Sequence, residues 1–204
     1  MAIAILVVAL LAIGGFLVFG GDVPLIGDGP TGPGEFSFEL KKVEGSATSR
    51  TPPDELKDTV REAGTGVKET MDELYLRAFV DTGSWGDYGA AFELFDAETK
   101  VRAEADVDVL TLGASANDDF QALSAPSGTL GIAVLTDKKD APMTAIAEVQ
   151  FLANARRTDG TSVEISSVGS FFLRQVGGTW TIFAYRVDRD DQAAEEPSAT
   201  GSPS

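Results

Sequence analysis

The stretch GSFFLRQVGGTWTIFAYRVDRDD, residues 169–191, decides how the rest of the chain is read. Apolar and polar residues alternate on both sides of the Gly177–Gly178 pair, which is the pattern of two antiparallel strands joined by a tight glycine turn. No helix follows those glycines to offer its N-terminus, so they read as a hairpin turn rather than a phosphate loop. Trp180 is expected to anchor a core, and DRDD to mark the passage from sheet to solvated tail.

Working back from that hairpin, DFQALSAP, GTLGIAVLTD, MTAIAEVQFLANARRT and TSVEISSVGSFFLRQV are strand-like segments separated by DKKDAP and TDG, and GG separates the last of them from TWTIFAYRVD. Connections of that length and chemistry predict an antiparallel meander. The strand at residues 143–157 is long enough that it must bend or carry a bulge, and Gly169 in its neighbour is the expected bulge site.

Upstream the period changes. Leu56, Val60, Val67, Met71, Leu74, Tyr75, Ala78 and Phe79 recur at helical spacing, with Thr51 or a polar neighbour as the expected cap and Gly64 and Gly66 as weak points. DYGAAFELF predicts a short second helix, and DAETKVRAEADVDVL a third, capped by Asp96 and ending near Gly113. Ahead of these, FSFELKKVEG alternates Phe36, Phe38 and Leu40 with polar residues and predicts a first strand. The fold class is therefore α+β: two to three helices packed on a curved antiparallel sheet of about five to six strands, over residues 35–188.

The helix ELYLRAFVDTGSWGDYGAAFELF and the terminal hairpin FFLRQVGGTWTIFAYRV, of the form GGxWxIxxYxVxR, resemble the nuclear transport factor two-like superfamily, which includes the SnoaL-like polyketide cyclases. The resemblance covers roughly residues 55–188 and implies a cystatin-like α+β cone, with the first helix lying across the sheet. Its members range from isomerases and dehydratases to dimerisation modules, so it implies no single activity. The enzymes among them place Asp, His or Tyr in the cone mouth, and this chain departs from that pattern in having no histidine. With its tether and acidic tail, the whole layout also resembles membrane-anchored proteins of actinobacterial type.

The N-terminal run MAIAILVVALLAIGGFLVFGG has no charged side chain over residues 1–21. About 20 helical residues at ~1.5 Å each match the ~30 Å hydrocarbon core of a bilayer. A single-pass transmembrane anchor is expected, embedded in membrane lipid. The basic first segment and small-x-small site of a cleaved signal peptide are not evident, and a chain without cysteine cannot carry a lipoprotein's acyl group. Residues 22–34, within the stretch GGDVPLIGDGPTGPGE at 20–35, read as a Gly/Pro-rich tether. No basic side chain precedes Lys41 to hold this region in the cytoplasm, so the expected topology has a cytoplasmic N-terminus and an extracytoplasmic domain. Residues 189–204 are rich in acidic and small residues and are expected to be a disordered tail.

The chain carries 16 basic and 32 acidic residues, a net charge of −16 that argues against nucleic acid as a partner. Without His or Cys, His-dependent acid/base pairs, Ser–His or Cys–His nucleophile pairs and the usual His or Cys metal sites are excluded. No cofactor and no metal site is expected. In DTGSWGDY, Asp81 and Asp87 are candidate carboxylate bases and Tyr88 a candidate hydrogen-bond donor to an enolate, as in a cofactor-free isomerase or dehydratase. Ordinary turn chemistry accounts for the same residues as helix caps and a core plug. Glu98, Glu104, Asp106 and Asp108 read as a solvated helix face paired with Lys100 and Arg102.

Phe79, Trp85, Phe92, Phe151 and Phe172 are candidate walls of an apolar ligand cavity inside the cone. Arg156, Arg157, Arg174, Arg186 and Arg189 are expected to face solvent. They could recognise an acidic envelope protein or pair with a second copy across an exposed sheet face. The leading functional expectation is a membrane-tethered, extracytoplasmic, non-enzymatic binding or assembly module.

Overall fold

The computed structural model of the chain describes residues 35–193, apart from residues 48 and 50. The expected anchor at 1–21, the tether at 22–34 and all of the tail beyond Ala193 lie outside the described residues. Among the described residues no helix is long and apolar enough to cross a membrane.

The fold is α+β: a five-stranded mixed sheet with helices packed on one side. In chain order the elements are β1 (Glu39–Ala47), α1 (Pro53–Tyr75), α2 (Gly89–Phe92), α3 (Ala97–Ala105), α4 (Val107–Leu110), α5 (Ala116–Asp119), β2 (Phe120–Thr136), β3 (Pro142–Arg157), β4 (Ser162–Val176) and β5 (Thr179–Ala193). The strands lie in sequence order, and β2 to β5 form the expected antiparallel meander. β1 departs from the antiparallel expectation because it pairs parallel to β2, Glu39 opposite Thr129 through Ala47 opposite Thr136. The whole helical segment intervenes between the two strands, and a crossover of that length returns the chain in the same direction.

DFQALSAP and GTLGIAVLTD, two segments on sequence grounds, form the single strand β2. Pro126 falls within a bulge between Ser124 and Ser127, with Ala125 at φ 48°. The GG hairpin forms as expected, with Gly177 and Gly178 at φ 60° and 91°.

Helix α1 lies against the sheet and runs unbroken through both of its glycines. The cost of glycine in a helix is offset by close approach, since a Cβ on Gly64 would come within 2.8 Å of Val43 and one on Gly66 within 2.8 Å of Trp180. The N-cap is Pro52 and makes no side-chain capping bond, with Pro53 in the first turn. Thr51 is not the cap; its hydroxyl donates instead to Asp140 Oδ2 at 2.7 Å. At its other end α1 widens into one π-turn, Leu76–Val80, closed by the Asp81 N–H on the Leu76 carbonyl at 2.7 Å. Asp96 caps α3 as expected, its Oδ1 accepting from the Thr99 N–H at 2.8 Å.

Asp72 ties the incoming chain to α1. It accepts from the Phe38 N–H and the Ser37 hydroxyl, both at 2.8 Å, and pairs with Lys68 at 2.6 Å. Phe36 and Phe38 are thereby held in the core.

Period-two burial divides the sheet into two unlike faces. On β3, Ala145, Ala147, Val149, Phe151, Ala153 and Ala155 are buried beneath the helices, while Glu148, Gln150, Leu152, Asn154 and Arg156 on the other face are exposed. The small alanines on this inner face leave room for large rings above them.

Gly169 is not a bulge, and β3 and β4 pair without interruption from Thr144–Arg174 to Arg156–Ser162. The extra residue is Phe183 in β5, between the Phe172–Ala184 and Leu173–Ile182 pairs. Gly169 instead marks a close backbone approach, where a Cβ would lie 2.3 Å from the Arg186 carbonyl oxygen and 2.7 Å from the Val187 Cα. Gly169→Ala is expected to destabilise the domain by on the order of 3 kcal/mol, because backbone must move. Gly131→Ala, whose Cβ would meet nothing nearer than 4.0 Å, is expected to change stability by less than about 1 kcal/mol. Urea unfolding followed by tryptophan fluorescence compares the two.

Candidate functional site

The side chains singled out in DTGSWGDY are separated by the local backbone. Asp81 caps the short 3-10 turn Thr82–Ser84, accepting from the Gly83 N–H at 3.0 Å and the Ser84 hydroxyl at 2.7 Å. Asp87 is exposed and its carboxylate accepts from the Gly89 N–H at 3.3 Å. Tyr88 is buried and its hydroxyl donates to the Gly113 carbonyl at 3.2 Å. Burial pushes the Tyr88 phenol above its usual range, with smaller effects from its hydrogen bonds and from Arg189 and Asp108. Two exposed carboxylates bound to their own turns and one buried phenol do not converge on a substrate, so the three make no acid–base set.

The five candidate wall residues fall into separate clusters. Phe79 and Phe151 touch each other, ring centroids 4.9 Å apart, and both touch Tyr75 at 5.3 Å. Phe36 adds to this cluster against Phe151, and Phe38 and Phe171 against Tyr75. The Tyr75 hydroxyl is paired with Ser167 Oγ at 2.9 Å, and burial drives its pKa well above the usual phenol range. Trp85 packs on Phe120, and its indole N–H donates to the Phe79 carbonyl at 2.9 Å. Phe92 lies between Tyr88 and Phe95. Phe172 is on the opposite face of the sheet, beside Phe183, with centroids 6.4 Å apart. It therefore shares no wall with the other four. Rings expected to face a ligand face one another instead, each such pair adding about 1 kcal/mol to the burial gain.

A polar cluster that sequence reading placed in solvent lies on the inner face. Arg189 was expected in a solvated tail, yet β5 runs on to Ala193 and only 10% of the Arg189 side chain is exposed. Its guanidinium makes a two-pronged bond to Asp191, Nε to Oδ1 at 2.8 Å and Nη2 to Oδ2 at 2.5 Å. Nη1 donates to the Asp108 carbonyl at 3.1 Å and also to the Thr111 carbonyl. It thus satisfies carbonyls at the end of α4 that the short helix leaves open. Arg157 approaches Asp191 at 4.0 Å and lies over the Phe120 ring, 5.6 Å from its centroid. Arg174 is also engaged, with Asp96 at 2.7 Å and with the Phe183 ring. Asp106 accepts from the Tyr185 hydroxyl at 2.8 Å while Arg102 covers that ring at 4.7 Å. These contacts join the helices to β5. The available sequence signal was the continued alternation of Tyr185, Val187, Arg189 and Asp191 past the expected end of the strand.

Among the described residues no group of three or more metal-ligating side chains gathers in one place. The feature left for recognition is the outer face of the sheet. It carries Leu152, Val168 and Val176, which are 46%, 47% and 57% exposed, together with the half-buried Ile146, Phe172 and Phe183. By register they fall into two groups, Ile146, Phe172 and Phe183 on one side of the Glu148–Ser170–Arg186 row and Leu152 with Val168 on the other, while Val176 stands beyond Arg174; no described helix covers them.

Arg189→Ala is expected to cost on the order of 2–3 kcal/mol, since it leaves Asp191 and two carbonyls without their donor. Arg186→Ala, exposed on the other face, is expected to cost less than about 0.5 kcal/mol. Denaturant unfolding of both variants checks the contrast, and equal values would return Arg189 to solvent. Comparison with protein-family models, with curated proteins and with solved structures finds no match to this chain.

Proposed function

We propose that the chain is a membrane-tethered, extracytoplasmic, non-enzymatic binding or assembly module that makes its contacts through the outer face of the sheet. The supporting observation is the inequality of the two faces: one is packed with mutually contacting rings, and the other holds Leu152, Val168 and Val176 in solvent. A monomer with no partner gains nothing from holding these side chains in water. The uncharged run at residues 1–21 supports insertion in lipid, and the absence of any basic side chain before Lys41 supports an exterior domain.

A cofactor-free isomerase or dehydratase is a weaker reading, because Asp81 and Asp87 are spent on turn N–H groups. An apolar-ligand cavity is also weaker, because Phe79 and Phe151 meet each other. The likeness to the nuclear transport factor two-like cone agrees with an assembly role without requiring it.

The natural absence of cysteine makes location directly testable. Asp159→Cys, in the exposed β3–β4 turn, is expected to react with a membrane-impermeant maleimide in intact cells, and the chain to stay with membranes through alkaline extraction. Labelling only after lysis would reverse the topology, and extraction into the soluble fraction would remove the anchor. For the contact surface, a photo-crosslinking residue at Val168 in native membranes is expected to give an adduct that the same residue at Glu62, exposed on α1, does not. Failure of Val168 to give one would sink the surface assignment.

A further inference from the structure

Residues 35–38 enter the fold ahead of every strand. They belong to no helix or strand, and the pairing of β1 with β2 starts only at Glu39–Thr129. Yet Phe36 and Phe38 are 7% and 2% exposed, while Glu35 and Ser37 stand in solvent. Such alternation is how an extended peptide lies in a groove, with every second side chain in a pocket.

The groove fits those rings. Phe36 meets Phe151 with centroids 5.4 Å apart, and Phe38 meets Tyr75 at 4.9 Å, both edge-on. Against Phe38 lies Gly128 of β2, where a Cβ would come within 2.6 Å of the ring and 3.0 Å of the Gln150 carbonyl oxygen. The Gly128 backbone is not left-handed, so what calls for glycine there is space, and the Phe38 ring takes most of it. One carboxylate of α1 holds the main chain in place. Asp72 Oδ1 accepts from the Phe38 N–H and Oδ2 from the Ser37 hydroxyl, while Lys68 donates to both Ser37 Oγ and Asp72 Oδ2. The Asp72 and Lys68 side chains are 20% and 23% exposed, so water reaches these bonds from outside.

We infer that residues 35–38 are a strap, which leaves and re-enters this groove while the sheet stays folded, and that Asp72 is its latch. Undocking breaks no pair of the β1–β2 register, which runs from Glu39 onward. Segments that share few ladder bonds with the rest of a domain are the ones that open on their own. The open state bares the edges of Phe151 and Tyr75, whose contacts with Phe79 remain. The strap lies on the inner side of the sheet, so this inference stands apart from the contact surface assigned to the outer face. With the N-terminal run held in lipid as proposed above, a pull through residues 1–34 reaches the strap before any strand. The strap is then the place where tension on the tether is released first.

Residue-resolved hydrogen exchange of the full chain in lipid nanodiscs tests the strap. The Phe38 amide is expected to be protected, yet to exchange at least about tenfold faster than the Val149 and Phe151 amides of β3. Asp72→Ala keeps a good helix former in α1 and is expected to speed the Phe38 amide by about a further tenfold, leaving β3 unchanged. Asp58→Ala removes an exposed carboxylate from the same helix and is expected to change neither. A Phe38 amide that exchanges in step with β3 overturns the strap, because the segment then opens only with the whole domain. A Phe38 amide with no protection overturns its docking. Equal acceleration of Phe38 and β3 by Asp72→Ala, or none at Phe38, overturns Asp72 as the latch.

Discussion

The structure turns on the buried Tyr75 ring, where the helical layer and the sheet are locked together. It stacks on Phe79 of the π-turn, meets Phe38 of the incoming chain, and touches Phe151 and Phe171 of β3 and β4. Its hydroxyl is satisfied inside the protein by Ser167. Burying a ring of this size contributes about 2 kcal/mol, and its contacts bridge four chain segments distant in sequence. The alanines of β3 make the arrangement possible, because small side chains beneath leave the volume that the rings above occupy.

Placing every helix on one face settles the character of the other. A two-layer α+β domain buries one surface of its sheet and leaves the second to water or to a partner. The inner surface consumes the residues that looked most chemical: Trp85 and Tyr88 fill core, and Asp81 and Asp87 finish turns. The outer surface keeps exposed apolar side chains and separated charges, which suit association better than catalysis. The function proposed above rests on this division, with location assigned to the expected tether and contact to the open face.

Much of the architecture was legible in sequence because it rests on local chemistry. The period-two alternation marked the strands of the meander, the paired glycines marked their last turn, and Asp96 three residues before Thr99 marked a helix start. Other features depend on distant neighbours. β1 runs parallel to β2 because of where five helices return the chain, and β2 passes through Pro126 because a bulge removes the demand on its backbone. Gly64 and Gly66 read in sequence as weak points of the helix, and only the fold shows that Val43 and Trp180 occupy the space side chains there would need. The candidate ligand walls failed for the same kind of reason: Phe171 and Phe172 are adjacent in sequence, and register alone decides which enters the core.

Composition and periodicity by themselves determined the α+β class, the antiparallel hairpins, the uncharged leader and the absence of histidine and cysteine chemistry. Each of these is a property of residues close in the chain or of the chain as a whole. Only the tertiary structure decided which arginine is inside. The extra residue at Phe183 reverses the alternation of β5, so that Tyr185, Val187, Arg189 and Asp191 point to the helices while Arg186 and Asp188 point away. A bulge forms where pairing with the neighbouring strand and packing on the layer above demand it, and that demand comes from β4 and the helices rather than from the bulged residues themselves.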